Sequence, residues 1–300
     1  MAGLLHRVRT KLSLHAHRKV RGLLDGEYVS IFQGKSHDFD DLRPYVPGDE
    51  IRDIDWKATA RLGYPLTKRY VATRKHAVLL LVDAGRDLAA VSADGTPKRD
   101  AAILAAGVMG YLAVRHGDHV GLVVGDAERT EYLPTKGTES HLERILATIE
   151  RRATLDAARS DLAKQLEFAA RTLRRRAMLV VIADDAPLGD REQRLLRRLH
   201  AQHEILWLTI GDADLMRSDY ADRAMFDVAD LLELPEYVRH DPGLREEFSV
   251  AMAERAEAST ELLEAMGIAN RRITAESEVV SGLFRLIEAH NHRRRHAVRG

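Results

Sequence analysis

Ala77-Val78-Leu79-Leu80-Leu81-Val82-Asp83 is an unbroken apolar run closed by an acid. It shows no alternation, is bounded by polar residues and is rich in Val and Leu, which suits a strand buried on both faces. It is far too short to cross a bilayer. The same pattern recurs downstream at 120–124 ending near Asp126, at 178–182 ending at Asp184-Asp185, and at 204–210 ending at Gly211-Asp212. Between these runs lie helical patterns at 98–116, 138–151, 159–175 and 190–201, with 128–133 as an antiparallel partner of the second strand. Strands alternating with helices wind into a mostly parallel sheet with helices on both faces, so the class is α/β and doubly wound. Further helices are expected at 242–267 and 276–290, followed by a disordered arginine-rich tail at 293–299.

Upstream of the first strand the chain reads Arg43-Pro44-Tyr45-Val46-Pro47-Gly48-Asp49-Glu50-Ile51-Arg52-Asp53-Ile54-Asp55-Trp56-Lys57-Ala58-Thr59-Ala60-Arg61. Ile54, Trp56 and Ala58 alternate with polar residues, Arg61-Leu62-Gly63-Tyr64 turns the chain, and Leu66, Lys68 and Tyr70 alternate again. This predicts a β-hairpin over 51–72, with Trp56 largely buried against the sheet because an indole on one strand face needs a large apolar partner. Two roles stay open for the segment. It is either a docking surface or ligand pocket, or a structural clasp in which Trp56 is buried and Arg52 pairs with Asp53 or Asp55.

Arg43, Tyr45, Gly48, Asp49, Arg52, Asp55, Trp56 and Arg61, with Gly34, Phe39 and Leu42 ahead of them, closely resemble a signature of the bacterial domain of unknown function 58 family. There an arginine and a tyrosine lead into Pro-Gly-Asp, then Arg-x-Ile-Asp-Trp, then Ala-Arg. The resemblance implies that a von Willebrand factor A-like α/β domain follows, and that the protein works with a MoxR-type AAA+ ATPase. The chain is then expected to divide into a basic amphipathic arm at 1–25, a signature-bearing β-rich segment at 26–76, the von Willebrand A-like domain at 77–240, and a C-terminal helical extension with a basic tail at 241–300.

The arm places Leu4, Leu5, Val8, Leu12, Leu14, Val20, Leu23 and Leu24 at near-helical spacing among Arg7, Arg9, Lys11, Arg18, Lys19 and Arg21. That pattern serves either a helix packed on the body or one lying on a membrane surface or partner. Over the whole chain 46 basic residues balance 46 acidic ones, which argues against general attraction to nucleic acid or an anionic membrane while leaving local peripheral contact open. No cysteine is present, so disulfides, thiolate zinc sites and thiol nucleophiles are excluded. With no secretory signal pattern and no apolar run long enough for a transmembrane segment, a cytoplasmic protein is expected.

Ligands of doubly wound sheets bind beyond the carboxyl ends of the strands, where strand order reverses, so Asp83 and Asp184 are candidates to converge there. Clustered oxygens suit a hard cation such as Mg2+. By resemblance to the metal-ion-dependent adhesion site of von Willebrand A domains, the candidate ligands are Asp83, Asp87, Thr138 and Asp184. The adhesion pattern Asp-x-Ser-x-Ser here reads Asp83-Ala84-Gly85-Arg86-Asp87, so both serines are lost. Two arrangements follow: a surviving Mg2+ site, or a purely structural acid cluster in which Arg86 displaces the metal. Three carboxylates need something positive among them in either case.

Neither Gly-x-Ser-x-Gly nor His-Glu-x-x-His occurs, and Gly34-Lys35-Ser36 lacks the earlier glycine of a phosphate-binding loop. The expected function is therefore non-enzymatic: a protein-interaction module or adaptor that acts with a MoxR-type AAA+ ATPase in assembly or maturation of a complex containing a further client protein. The alternative is a metal-dependent hydrolase or phosphotransferase using the strand-end carboxylates, for which no general base is identifiable.

Overall fold

A computed structural model describes residues 3–15, 24, 26–28, 41–46, 51, 54–69, 75–213 and 226–297. Gly34, Phe39, Gly48, Asp49, Arg52 and Asp53 lie outside the described residues. Of Arg43, only the backbone is described.

The chain enters with α1 (Leu4–His15), β1 (Asp41–Pro44), α2 (Trp56–Leu62) and β2 (Leu66–Arg69). The main body follows as β3 (Ala77–Asp83), α3 (Lys98–Arg115), β4 (His119–Gly125), β5 (Thr130–Lys136), α4 (Glu139–Arg152), α5 (Leu162–Thr172), β6 (Met178–Asp184), α6 (Asp190–His200) and β7 (Glu204–Ile210). Beyond it come a small ladder of β8 (Phe226–Asp227) and β9 (Leu232–Glu233), then α7 (Glu236–His240), α8 (Pro242–Ala265), β10 (Ala269–Ile273) and α9 (Val279–Ala297).

The main sheet has the order β10-β7-β6-β3-β4-β5, with only β5 antiparallel to its neighbour. This is the doubly wound, mostly parallel arrangement of a von Willebrand A-like domain. Winding proceeds outward in one direction from β3 to β4 and in the other from β6 to β7, so the switch point lies between β3 and β6. Alternate residues of each strand serve two cores. Val78, Leu80 and Val82 pack with α1, α3, α4 and α9, whereas Leu79 and Leu81 pack with α5 and α6. Each fully buried Leu or Val contributes on the order of 1.5–3 kcal/mol.

α1 is a docked arm. Leu4, Leu5, Val8 and Leu12 are buried, and the backbone N–H groups of Leu4 and Leu5 donate to the two carboxylate oxygens of Glu143 in α4, each at 2.7 Å. A carboxylate at a helix N-terminus satisfies orphan donors and complements the helix dipole. Val8 fits only because its neighbour in α3 is Gly107, where an added Cβ would lie 2.5 Å from the Val8 side chain.

Four expectations need correction. The hairpin over 51–72 is not formed: β2 pairs with β1, and residues 56–62 are helical. The Asp55 side chain accepts from the N–H groups of Lys57 and Ala58, both at 3.0 Å, and Gly63 closes the helix in the left-handed region at φ 79°. With Lys, Ala, Arg and Leu between those caps, local capping outweighs the period-two pattern. Trp56 is accordingly 64% exposed rather than buried. The C-terminal region supplies a strand that the sequence reading left out, since β10 extends the sheet parallel to β7. Finally, α9 continues to Ala297 in place of a tail disordered from 293, and Arg293 donates to the Ile268 carbonyl (2.9 Å) and to Glu264 (3.2 Å).

Gly107→Val should cost about 1–3 kcal/mol of stability by overpacking, and Val8→Ala in the same chain should recover part of the loss. Urea unfolding of the two variants checks the docking of α1.

Candidate functional site

The carboxyl ends of β3, β6 and β7 carry Asp83, Asp184 with Asp185, and Asp212 into one region. Asp83 is 3% exposed, and the charges of Asp184, Asp87 and Asp161 bear on it. Burial, then the Asp184 and Asp87 charges, push its carboxyl up to about 8, against an opposing hydrogen bond from the Asp161 backbone. Its Oδ1 is buried without a hydrogen-bond partner. The loop ahead of α5 closes over this acid. Arg86 N donates to Ala158 O at 2.9 Å, and Ser160 N donates to Asp87 Oδ2 at 3.1 Å.

That closure explains Gly85. A Cβ at this position would lie 2.3 Å from Ser160 N and 2.5 Å from Ser160 Oγ, so a serine in place of Gly85 would drive the loop away. The Ser160 hydroxyl is itself buried and without a partner. Sequence reading missed it; its only signal was Ser160-Asp161 just ahead of an amphipathic helix, where Asp161 caps α5 through Lys164 N.

The larger omission was Lys98. It heads α3, its side chain is 1% exposed, and its Nζ donates to Asp184 Oδ1 and, at 2.5 Å, to Asp212 Oδ1. Burial works against its charge, but the two carboxylates outweigh burial and raise its pKa above the ordinary lysine value. Asp185 has a separate partner, since Arg272 Nε and Nη2 both lie 2.6 Å from its Oδ2. Arg86, one of the two candidate cations for this cluster beside Mg2+, forms no ion pair among the described residues, and its Nε is buried without a partner. A lysine that follows Pro97 at the head of an apolar helix was the available sign.

Thr138 does not belong to the site. Because β5 runs antiparallel, Lys136 pairs with Val120, which brings the chain back to the amino edge of the sheet, and a Cβ on Gly137 would meet His119 at the start of β4. There Thr138 is exposed and caps α4 by accepting from His141 N at 3.2 Å. Asp126 is likewise engaged in forming the β4–β5 turn, accepting from the N–H groups of Glu128 and Arg129, both at 2.8 Å. Of the four proposed metal ligands, Asp83, Asp87 and Asp184 are brought together and Thr138 is not.

The adhesion-type site therefore does not fit these residues. The position of the first serine is closed by Ser160, the threonine is at the other edge, and the later aspartate is held by an ammonium. Among the described residues no group of three or more His, Asp or Glu side chains is placed to hold a metal ion.

A carboxyl whose pKa is raised in the fold binds a proton that the unfolded chain has lost, so stability falls as pH rises from the ordinary aspartate range to about 8 and is lowest above it. Asp83→Asn removes that penalty. It should exceed wild type by at least ~1.4 kcal/mol at about pH 9, with the advantage shrinking toward about pH 4, as measured by denaturant titration across pH.

The chain is similar to uncharacterized proteins of Mycobacterium tuberculosis and Mycobacterium bovis, each 31% identical over 255 residues, spanning 83% of this chain and 78% of the relative. Among solved structures it resembles an aerotolerance-related membrane protein from Bacteroides fragilis, with TM-score 0.43 and 13% identity over 71% of this chain and 98% of the other. It also resembles the VWA domain of SpRpn10, with TM-score 0.34 and 11% identity over 54% of this chain and 85% of the other. A family model matches residues 41–257, most of the chain and including the β1, α2 and β2 unit, and on that match together with the mycobacterial relatives the chain belongs to the family described as protein of unknown function DUF58.

Proposed function

We propose that this protein is a non-enzymatic interaction module that acts in the cytoplasm with a MoxR-type AAA+ ATPase in assembly or maturation of a protein complex, and that it docks through the signature-bearing unit of β1, α2 and β2. The observation that carries this reading is the exposure of Trp56. The indole opens a helix none of whose residues is buried, and Val46, Ile51, Leu62 and Tyr64 of the same short stretch are exposed with it. Large apolar side chains left exposed within one short stretch, with exposed Lys57 and Arg61 among them, have the composition of a protein-binding segment with a tryptophan anchor.

The clasp reading required the opposite placement of that side chain. What holds the unit in place is smaller and polar: the Asp55 cap, the β1–β2 ladder, a bridge from Ile54 to Thr67, and a hydrogen bond from Leu66 N to Thr59 Oγ1 at 3.1 Å. The alternative, a metal-dependent hydrolase or phosphotransferase, calls on carboxylates that Lys98 and Arg272 already engage. Among the described residues no helix is long and apolar enough to cross a membrane. Among the described residues of α1, Leu4, Leu5, Val8 and Leu12 are buried on the body and so are not offered to a membrane surface.

Trp56→Ala should melt within about 0.5 kcal/mol of wild type, as surface substitutions do. It should at the same time lose at least about tenfold in affinity for a purified MoxR-type ATPase, a hot-spot effect. Asp55→Ala, by contrast, should lower stability by about 1 kcal/mol through loss of the cap. Capture of the ATPase by Trp56→Ala at wild-type affinity would reject the docking face.

A further inference from the structure

The carboxyl edge of the sheet gathers five acids near one switch point, and each of them is already engaged. Asp184 and Asp212 share the Lys98 ammonium. Asp185 is held by Arg272, Asp87 by the Ser160 N–H, and Asp83 by the Asp161 N–H. Lys98 arrives from α3, which packs across the face of the sheet. Its charge therefore bridges two adjacent parallel strands, β6 and β7, just where both end. A buried ammonium is costly to desolvate and persists only when closely paired. Asp184, mostly buried beside the partly exposed Asp212, is likewise costly to ionise without a counter-ion. Each half of this arrangement requires the other.

We infer that Lys98 supplies, from within the chain, the positive charge that a divalent cation supplies in an adhesion-type site, so that the carboxyl edge of this protein is built to work without a metal ion. The ammonium takes an oxygen of Asp184, the residue that such a site would use as its later aspartate, and draws in Asp212, which lies outside the adhesion pattern. Gly85 and Ser160 make the complementary change on the other side, where loop backbone fills the space a hydroxyl ligand would need. A point charge with three rotatable donors suits this role better than a planar guanidinium would, since the two acceptors come from different strands. Arg86, nearer in sequence to Asp83, has its backbone fixed to Ala158 and makes no ion pair among the described residues. The inference stands apart from the docking role of Trp56, which lies on a different unit.

Thermal melting of the full chain, with EDTA and with millimolar Mg2+ or Mn2+, tests it on wild type, Lys98→Met, and Lys98→Met combined with Asp184→Asn and Asp212→Asn, with Asp83→Ala as a control for Mn2+ binding. Wild type should melt at the same temperature in all three solutions and give no saturable Mn2+ isotherm. Lys98→Met should melt roughly 10 °C lower or fail to fold, as expected when one partner of a buried ion cluster is removed, and the triple variant should recover much of that loss. A melting temperature of wild type that falls in EDTA, or saturable Mn2+ binding abolished by Asp83→Ala, would overturn the inference in favour of a metal. A Lys98→Met protein as stable as wild type, or a triple variant no more stable than Lys98→Met, would show that the ammonium does not neutralise these acids and would overturn it as well.

Discussion

The double burial of β3 is the constraint from which the rest of the structure follows. Val78, Leu79, Leu80, Leu81 and Val82 are all at most 1% exposed, and the strand is paired in parallel on both sides. Such a strand needs a helical layer on each face, and parallel neighbours can be reached only by crossovers. The same geometry makes the strand ends coincide. Asp83, Asp184 and the partly exposed Asp212 are therefore delivered to one edge, and α3, which the crossover lays over the sheet, brings Lys98 to meet Asp184 and Asp212. The charge cluster is a consequence of the winding as much as of any function.

The signature segment follows a different logic. It lies ahead of the sheet, and among its described residues Leu66 and Thr67 of β2 are buried while α2 has no buried residue. A segment held by a helix cap and a four-residue ladder has its form set locally, leaving its large side chains for something outside the chain. The stabilising and the contacting residues are thus separable by position, with Asp55, Thr59 and Thr67 on one side and Trp56 and Leu62 on the other.

The central strands were legible because burial on both faces leaves an unbroken apolar run that no other element of that length produces. The same reading failed wherever polar chemistry decided the outcome. At 54–58 the alternation was real but the Asp55 cap was stronger. At 269–273 only Ala269 and Ile273 are buried, so an edge strand containing Arg271 and Arg272 gives no apolar run to notice. Thr138 matched a motif by order along the chain, and the antiparallel turn into β5 sent it to the opposite edge. Asp83 and Asp184 were found because they end strands. Lys98 was not, because a lysine between Pro97 and Arg99-Asp100 reads like any solvated residue of a first helical turn.

The two borders of the sheet have a further consequence for how this protein behaves in a crowded solution. At one border β5 carries the exposed Pro134, in the bulge opposite Gly121, and a proline cannot donate to an incoming strand. At the other, β10 presents the exposed Arg271, whose charge opposes alignment with the same residue of a second copy, while Arg272 is paired with Asp185. A sheet with so apolar a centre is at risk of growing into a multi-chain aggregate by edge pairing. Here that growth is opposed by a missing hydrogen-bond donor on one flank and by charge on the other, so the blockade at β10 is the one that salt would weaken.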